Sequence, residues 1–232
     1  MQKPKHHLMI DGEVIDKICA HAKVTRKDRV LEIGAGTGNL TSKLLKKGAT
    51  VYAIESDPGM YSQLDARFSD NANLHTFHSS ALKIEFPGFN KVVSNLPYSI
   101  SRKITERLLM YEFKLGILVY QKEFAEKLMA KPEQENYRFI SVLAQCCADI
   151  EILDPIPPSA FDPVPNVWSS IVKIKPRSVA TKEFINFLHS LFNQKNKRIG
   201  NILGGKIPAE FGQKRPHNLN PVELLQLYNH LY

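Results

Sequence analysis

The sequence predicts an α/β fold: a doubly wound, mostly parallel sheet with an antiparallel addition at one edge and a small helical domain at the C-terminal end. Three observations predict it. Short apolar runs alternate with helical periodicity as far as Cys146, the pattern of parallel strands joined by crossover helices. A glycine-rich turn, Gly34-Ala35-Gly36-Thr37-Gly38, directly follows one of those strands. After Pro176 the periodicity is helical only.

The elements follow in order. Asp11 is placed to cap a helix over Glu13 to Ala22, with Val14, Ile15, Ile18 and Cys19 on its apolar face. Arg29 to Ile33 is a strand that runs into the glycine turn. Leu40, Leu44 and Leu45 mark a helix that stops at Gly48, a residue suited to a left-handed helix end. Thr50 to Ile54 forms the next strand, ending at Glu55, and a helix runs from Pro58 to about Phe68. Leu74 to Phe77 and the run around Val92-Val93 are strands, and Ile104, Leu108 and Leu109 form a helical face. Leu115 to Tyr120 is a strongly apolar strand, Glu123 to Ala130 a helix, and Phe139, Val142, Leu143 and Cys146 mark another. Ile150 to Leu153 and Val167 to Ile174 are strands with a proline-rich link and no helix between them, hence antiparallel at the sheet edge. Helices over Phe184 to Phe192 and Leu224 to Leu231 complete the chain. The change of pattern places a domain boundary near residue 175, giving domains 1–175 and 176–232.

Composition narrows the class. At 232 residues, 43% hydrophobic and 23% charged, the chain has the balance of a soluble globular protein. No apolar run approaches the ~20 residues of a membrane span, and Met1 to His7 lacks the apolar stretch of a signal peptide. Cys19, Cys146 and Cys147 form no Cys-x-x-Cys pair. They read as reduced core thiols of a cytoplasmic protein, and no metal site is expected. The net charge of +8 is segregated: residues 1–172 carry 21 basic and 20 acidic groups, whereas residues 173–217 carry 10 and 2. Such a basic segment is the electrostatic footprint of a phosphate-backbone binder.

Two motifs carry chemistry. Asn95-Leu96-Pro97-Tyr98 ends the strand around Val92-Val93. An exocyclic base amine is a poor nucleophile because its lone pair is delocalised into the ring. Acceptors on the Asn95 side chain and a nearby backbone carbonyl could localise that lone pair, and Tyr98 could stack on the base for about 1–3 kcal/mol. The same residues also suit a plain strand-to-helix turn, with Asn capping and Pro near the first helical position. The glycine turn is shared by dinucleotide enzymes and methyltransferases, but its spacing is G-x-G-x-G rather than G-x-G-x-x-G. Glu55, about twenty residues beyond the turn, is placed to accept ribose hydroxyls. With no hydride-transfer residue evident, the pair of motifs selects S-adenosylmethionine over a nicotinamide dinucleotide.

Other residues read more plainly. His75 and His78 read as structural rather than as ligands, Trp168 as packing among edge-strand residues rather than as base stacking, and Gln121-Lys122-Glu123 as stabilising the sheet edge ahead of binding RNA. Glu32 either touches the cofactor's amino group or orders the glycine turn.

At these residues the chain resembles the small-subunit ribosomal RNA adenine dimethyltransferases. The matching segments are His7-Leu8-Met9-Ile10-Asp11, Leu31 to Gly38, Ala53-Ile54-Glu55, Asn95 to Ser101, Gln121-Lys122-Glu123 and Pro157 to Val167, in the family's order. The resemblance implies a Rossmann-like class I methyltransferase sheet. It implies transfer of methyl groups from S-adenosylmethionine to the amines of two adjacent adenosines near the 3′ end of small-subunit rRNA. On this resemblance Asn95, Leu96, Pro97 and Tyr98 hold the target amine and base, and Phe161 closes a sandwich with Tyr98. His7, Met9, Gly34, Ala35, Gly36, Glu55, Ser56, Ser80, Ala81 and Asn95 line the cofactor site. Lys195, Lys197 and Arg198 match a basic helical turn that contacts RNA. The implied partner is rRNA in a pre-30S-type particle, bound by a cytoplasmic monomer. Three departures stand out: Ser80 where Asp is usual, His6 where Gln is usual, and a C-terminal domain shorter than is typical. Two other readings fit the same fold: a large-subunit rRNA adenine methyltransferase, and a ribosome-assembly factor without catalysis.

Overall fold

The computed structural model describes residues 7–205 and 207–232. It opens with a short strand β1 (Leu8–Met9) and helix α1 (Gly12–Ala22), whose first turn is closed by the Asp11 carboxylate accepting from the Glu13 and Val14 amides. Strands β2 (Arg29–Ile33), β3 (Thr50–Glu55) and β4 (Leu74–His78) then alternate with α2 (Asn39–Lys46) and α3 (Pro58–Arg67). Next come β5 (Lys91–Asn95), α4 (Ser101–Leu108), β6 (Leu115–Gln121), α5 (Lys122–Leu128) and α6 (Phe139–Cys147). Strands β7 (Ala148–Ile156), β8 (Phe161–Asp162) and β9 (Ser169–Pro176) follow. The chain ends in α7 (Lys182–Phe192), α8 (Ile199–Leu203), α9 (Ala209–Gly212) and α10 (Pro221–Leu231).

The seven-stranded sheet has the order β4-β3-β2-β5-β6-β9-β7. Its first five strands are parallel, and β9 runs antiparallel to both neighbours. Alternate residues along the strands feed two cores. Leu31, Ile33, Val92, Leu118, Tyr120 and Val172 face α4 to α7 and α10, whereas Val30, Val51, Val93, Ile117, Val119 and Ile171 face α1 and α2. Both faces being covered, the central strands read as unbroken apolar runs rather than as a strict alternation.

The chain order reverses between β2 and β5, which is where open α/β sheets bind ligands. The two strands pair only at Val30↔Lys91 and Leu31↔Val92. Beyond that point the Ile33 amide has no backbone partner across the gap and donates instead to the buried Ser94 Oγ at 2.8 Å. A side chain thus replaces a ladder bond and lets the strand ends diverge.

The helices after Pro176 do not build a core of their own. Phe184, Leu188, Leu191, Leu224 and Leu227 join the same cluster as Leu143 of α6 and Val172 of β9. The buried Tyr137 hydroxyl donates to the Leu219 carbonyl at 2.9 Å, which ties the tail to the segment before α6. The sheet's antiparallel edge agrees with expectation. The β1–β8 pair was not foreseen: Leu8↔Asp162 and Met9↔Phe161 join segments far apart in the sequence.

Replacing Ser94 by Ala strands a buried amide. The substitution is expected to lower unfolding free energy by about 1–3 kcal/mol, read as a reduced urea midpoint with an unchanged slope.

Candidate active site

The glycine turn is shaped by contact. Gly34 has φ +71° and Gly36 φ +58°, a region L side chains rarely enter. Space excludes a side chain as well: a Cβ at Gly34 would lie 2.8 Å from Pro97 Cδ, and one at Gly36 would lie 2.6 Å from Leu8 Cδ2. The turn is therefore pressed against the Asn95 loop on one side and β1 on the other. The Gly34 amide donates to the Ile54 carbonyl at 2.8 Å, and Ala35 is buried.

Glu55 ends β3 beside this turn and is only 2% exposed. Its Oε2 accepts from the Gly36 amide at 2.8 Å, and its Oε1 accepts from the Ser56 and Asp57 amides at 2.7 and 2.8 Å. Three backbone donors hold the carboxylate, and one acceptor position on Oε2 remains by the usual count of lone pairs. Ala81 is buried close by in sequence to Ser80, whose Oγ accepts from the Leu82 amide at 3.3 Å and closes a turn.

Asn95 sits where β5 ends. Its Nδ2 donates to the His7 carbonyl at 3.1 Å, which fixes the orientation of the amide. Its Oδ1 is buried and accepts no hydrogen bond among the described residues. A buried acceptor left open costs stability, and such an atom marks a place made for a donor that arrives with a ligand. Leu96 is 1% exposed and anchors the loop in the core. The Pro97 carbonyl accepts from the Ile100 amide at 3.1 Å, starting the helical turn that leads into α4.

The Tyr98 hydroxyl is fastened to Ser169 Oγ at 2.7 Å, and burial pushes its pKa upward. Phe161 does not stand parallel to it. The two rings meet edge-on, at 71° with centroids 6.5 Å apart, and Phe161 is 1% exposed. The β1–β8 pairing explains this, because Met9 lies directly across from Phe161 and covers it. The ring that does lie over Tyr98 is His7, stacked at 5.6 Å and 28°, with Nδ1 2.6 Å from the Pro163 carbonyl. Met9 is itself a core residue. His6 lies outside the described residues.

Glu32 is buried and accepts from Thr41 Oγ1 at 2.7 Å, between the first glycine-turn strand and α2. Burial, aided by the charge of Glu55, raises its pKa to about 8. Ser94 and Ser169 were missed by sequence reasoning. Both are serines inside apolar strands, and only their partners across the sheet reveal their work. His75 and His78 are exposed and stack on Tyr52 and Tyr61, centroids 5.1 and 4.8 Å apart. Lys195, Lys197 and Arg198 lie in the turn between α7 and α8, with Arg198 at the N-cap of α8. Elsewhere in the basic segment, Lys173, Arg177 and Lys214 are spent on Glu151, Asp149 and Glu223. Among the described residues, no group of His, Cys, Asp and Glu side chains is arranged to hold a metal ion.

Comparison with known proteins decides the family. The model of the ribosomal RNA adenine dimethylase family matches residues 2–229. The chain belongs to that family. It is 44% identical to "Probable ribosomal RNA small subunit methyltransferase A" of Methanococcoides burtonii, over 97% of this chain and 91% of that protein. The protein of the same name from Methanosarcina barkeri is 41% identical, over 97% and 85%. Among solved structures, a dimethyladenosine transferase from Plasmodium falciparum superposes with TM-score 0.84 at 30% identity, over 97% of each chain. The 23S rRNA methyltransferase ErmE shares the fold, with TM-score 0.72 at 23% identity over 97% of this chain and 99% of that one. The dimethylase is therefore an S-adenosylmethionine-dependent enzyme acting on adenine in rRNA, with a class I methyltransferase sheet.

The residues present fit the methyl donor. A glycine turn that excludes side chains, a carboxylate held at its rim and an open buried acceptor beside them make a crevice suited to an adenosine-bearing ligand. When bound, S-adenosylmethionine supplies an electrophilic methyl group.

The Glu32 carboxyl gives a pH test. Folded, it keeps its proton to about pH 8, against an ordinary 4.5, so the unfolded chain ionises first as pH rises. Its contribution to stability is full below pH 4.5 and is lost as pH rises through 8. Glu32→Gln should flatten that decline, seen as a shallower fall of Tm between pH 5 and pH 8 than in the unaltered protein. An equal slope in both proteins would rule the raised pKa out.

Proposed function

We propose that this dimethylase methylates the exocyclic amines of two adjacent adenosines near the 3′ end of small-subunit rRNA, as a cytoplasmic monomer working on a pre-30S-type particle. The observation that carries the reading is the buried Asn95 Oδ1, which accepts no hydrogen bond among the described residues, beside a glycine turn with no room for a Cβ. The curated relatives' names support the small subunit, as do the matching Pro157 to Val167 and Gln121-Lys122-Glu123 segments.

In this reading, Asn95 Oδ1 accepts one N–H of the target amine and a Leu96 or Pro97 carbonyl accepts the other. Both bonds draw the lone pair out of conjugation and aim it. So held, the amine nitrogen would face the methyl group that bound S-adenosylmethionine would supply, and the displaced proton of the amine would pass to water. No strong base is required, because the chain's contribution is placement. Tyr98, held by Ser169, provides one flat wall for the base, and His7 and Phe161 border it. Glu55 takes a ribose hydroxyl, Ser80 and Ala81 border the adenine of the cofactor, and Gly34, Ala35, Gly36, Met9 and Ser56 shape the remaining walls. Ser80 can accept a bond from that adenine, but without the charge an Asp would bring. Reaching a base in this crevice needs a single-stranded or extruded nucleotide. The helices of 176–232 act as the RNA-contacting unit, with the exposed Lys197 and Arg198 and the half-buried Lys195 on phosphates.

Tritiated-methyl transfer to unmethylated small subunits, with mapping of the label, tests the substrate. Two adjacent dimethyladenosines are expected, and label confined to large-subunit RNA would overturn the assignment. Asn95→Ala is expected to lower kcat by at least about a hundredfold with cofactor affinity little changed; normal turnover would refute the lone-pair argument. Replacing Lys195, Lys197 and Arg198 together by Ala should weaken RNA binding and reduce the slope of log K against log salt by about two to three. A slope that does not move would leave these side chains as mere surface.

A further inference from the structure

Sequence reasoning assigned Trp168 to packing, but the structure leaves it 50% exposed. The indole borders a groove of about 360 Å³ lined by Lys122, Glu126, Ile152, Pro155, Trp168 and Ser170. We infer that this groove is a second base-binding site, in which Trp168 stacks on the unpaired nucleobase next to the methylated adenosine and Lys122 meets that nucleotide's phosphate. The inference rests on the reading that Tyr98 borders the target base.

Position supports it first. Trp168 is the residue before Ser169, whose hydroxyl holds Tyr98 at 2.7 Å. Its carbonyl accepts from the Lys122 amide at 2.9 Å, immediately beside the Gln121↔Ser169 pairing. One stretch of backbone, fixed by the β6–β9 ladder, therefore carries both the anchor of the target-base wall and the exposed indole. The groove and the anchor of Tyr98 thus share one strand end: Trp168 and Ser170 line the groove, while the Ser169 side chain between them reaches Tyr98 from the opposite face of the strand.

Chemistry supports it next. The indole, Ile152 (39% exposed) and Pro155 offer flat and apolar surface, which suits the π-face of any base and explains how such a site would tolerate sequence. Lys122 lies at the rim with its side chain 61% exposed, and its contact with Glu126 is long, at 3.9 Å. An exposed pair at that distance is worth little, so the ammonium can turn to a phosphate at small cost. A slot with an aromatic wall and a lysine free to turn away from Glu126 suits a nucleotide, and the substrate of this family is a polyanion.

Trp168 is the only tryptophan of the chain, so its emission reports this site alone. The full-length enzyme is titrated with an unmethylated RNA hairpin carrying the target adenosines, and then with hairpins made abasic at each flanking position. Saturable quenching is expected with the intact hairpin and loss of quenching with one abasic form. That form, and separately Trp168→Ala with the intact hairpin, should raise KM about tenfold or more. Trp168→Phe should restore most of the affinity, which separates stacking from a folding defect. Emission indifferent to RNA, with unchanged KM for the abasic hairpins, overturns the inference while leaving the target-base site standing. Quenching by the ribosomal particle but not by its RNA would make the occupant a protein and also overturn it. If the unaltered enzyme methylates no adenine in the hairpin or the particle, the underlying reading falls first.

Discussion

Where β2 and β5 separate, the Ser94 hydroxyl takes the Ile33 amide that the sheet ladder gives up. Everything at the candidate site depends on that separation. It opens the crevice at the strand ends while keeping the Ile33 amide paired, and it sets the glycine turn against Pro97 with no room for a Cβ between them. The two motifs that carry the chemistry are thereby one surface. A side chain at Gly34 would separate them, and a continuous ladder from Val92 onward would close the space they share.

The crevice also concentrates acidic groups. Glu55 accepts from three amides, whereas Glu32, held by Thr41, is pushed by burial to keep its proton to about pH 8. Two buried carboxyls near each other are tolerated because one is solvated by backbone and the other is neutral over most of the pH range. The bond from Thr41 to Glu32 ties α2 to β2, the strand that leads into the glycine turn. Asn95 completes the arrangement from the opposite side, its amide locked to the His7 carbonyl with one oxygen left for a ligand.

The tail shows how charge and packing divide a segment between them. Three of its cations are engaged with carboxylates on β7 and α10, so the sharp +8 of the sequence overstates what faces a partner. The turn from Asn193 to Arg198 lies outside those pairs. Meanwhile the apolar faces of α7 and α10 continue the core of the sheet, which holds the turn in fixed relation to the candidate crevice.

Much was legible in the sequence alone. Unbroken apolar runs separated by helical periodicity, glycine after the first long strand, Glu55 at the end of the next and Asn95-Leu96-Pro97-Tyr98 at a third point to the mostly parallel sheet and the class of chemistry, because each depends on local patterning. The elements that stayed hidden depend on contacts between distant residues. Pairing of Leu8-Met9 with Phe161-Asp162 buries Phe161 and turns it edge-on to Tyr98, and puts His7 over that ring instead. Ser94 and Ser169 act only through partners 61 and 71 residues away. Trp168 has the composition of a packing residue and becomes exposed because β9 begins just after it at the sheet's rim. Local pattern determined the strands and the chemistry; which ring faces which, and which side chains reach solvent, was decided by register and long-range pairing, since only these set the distance between residues the chain keeps far apart.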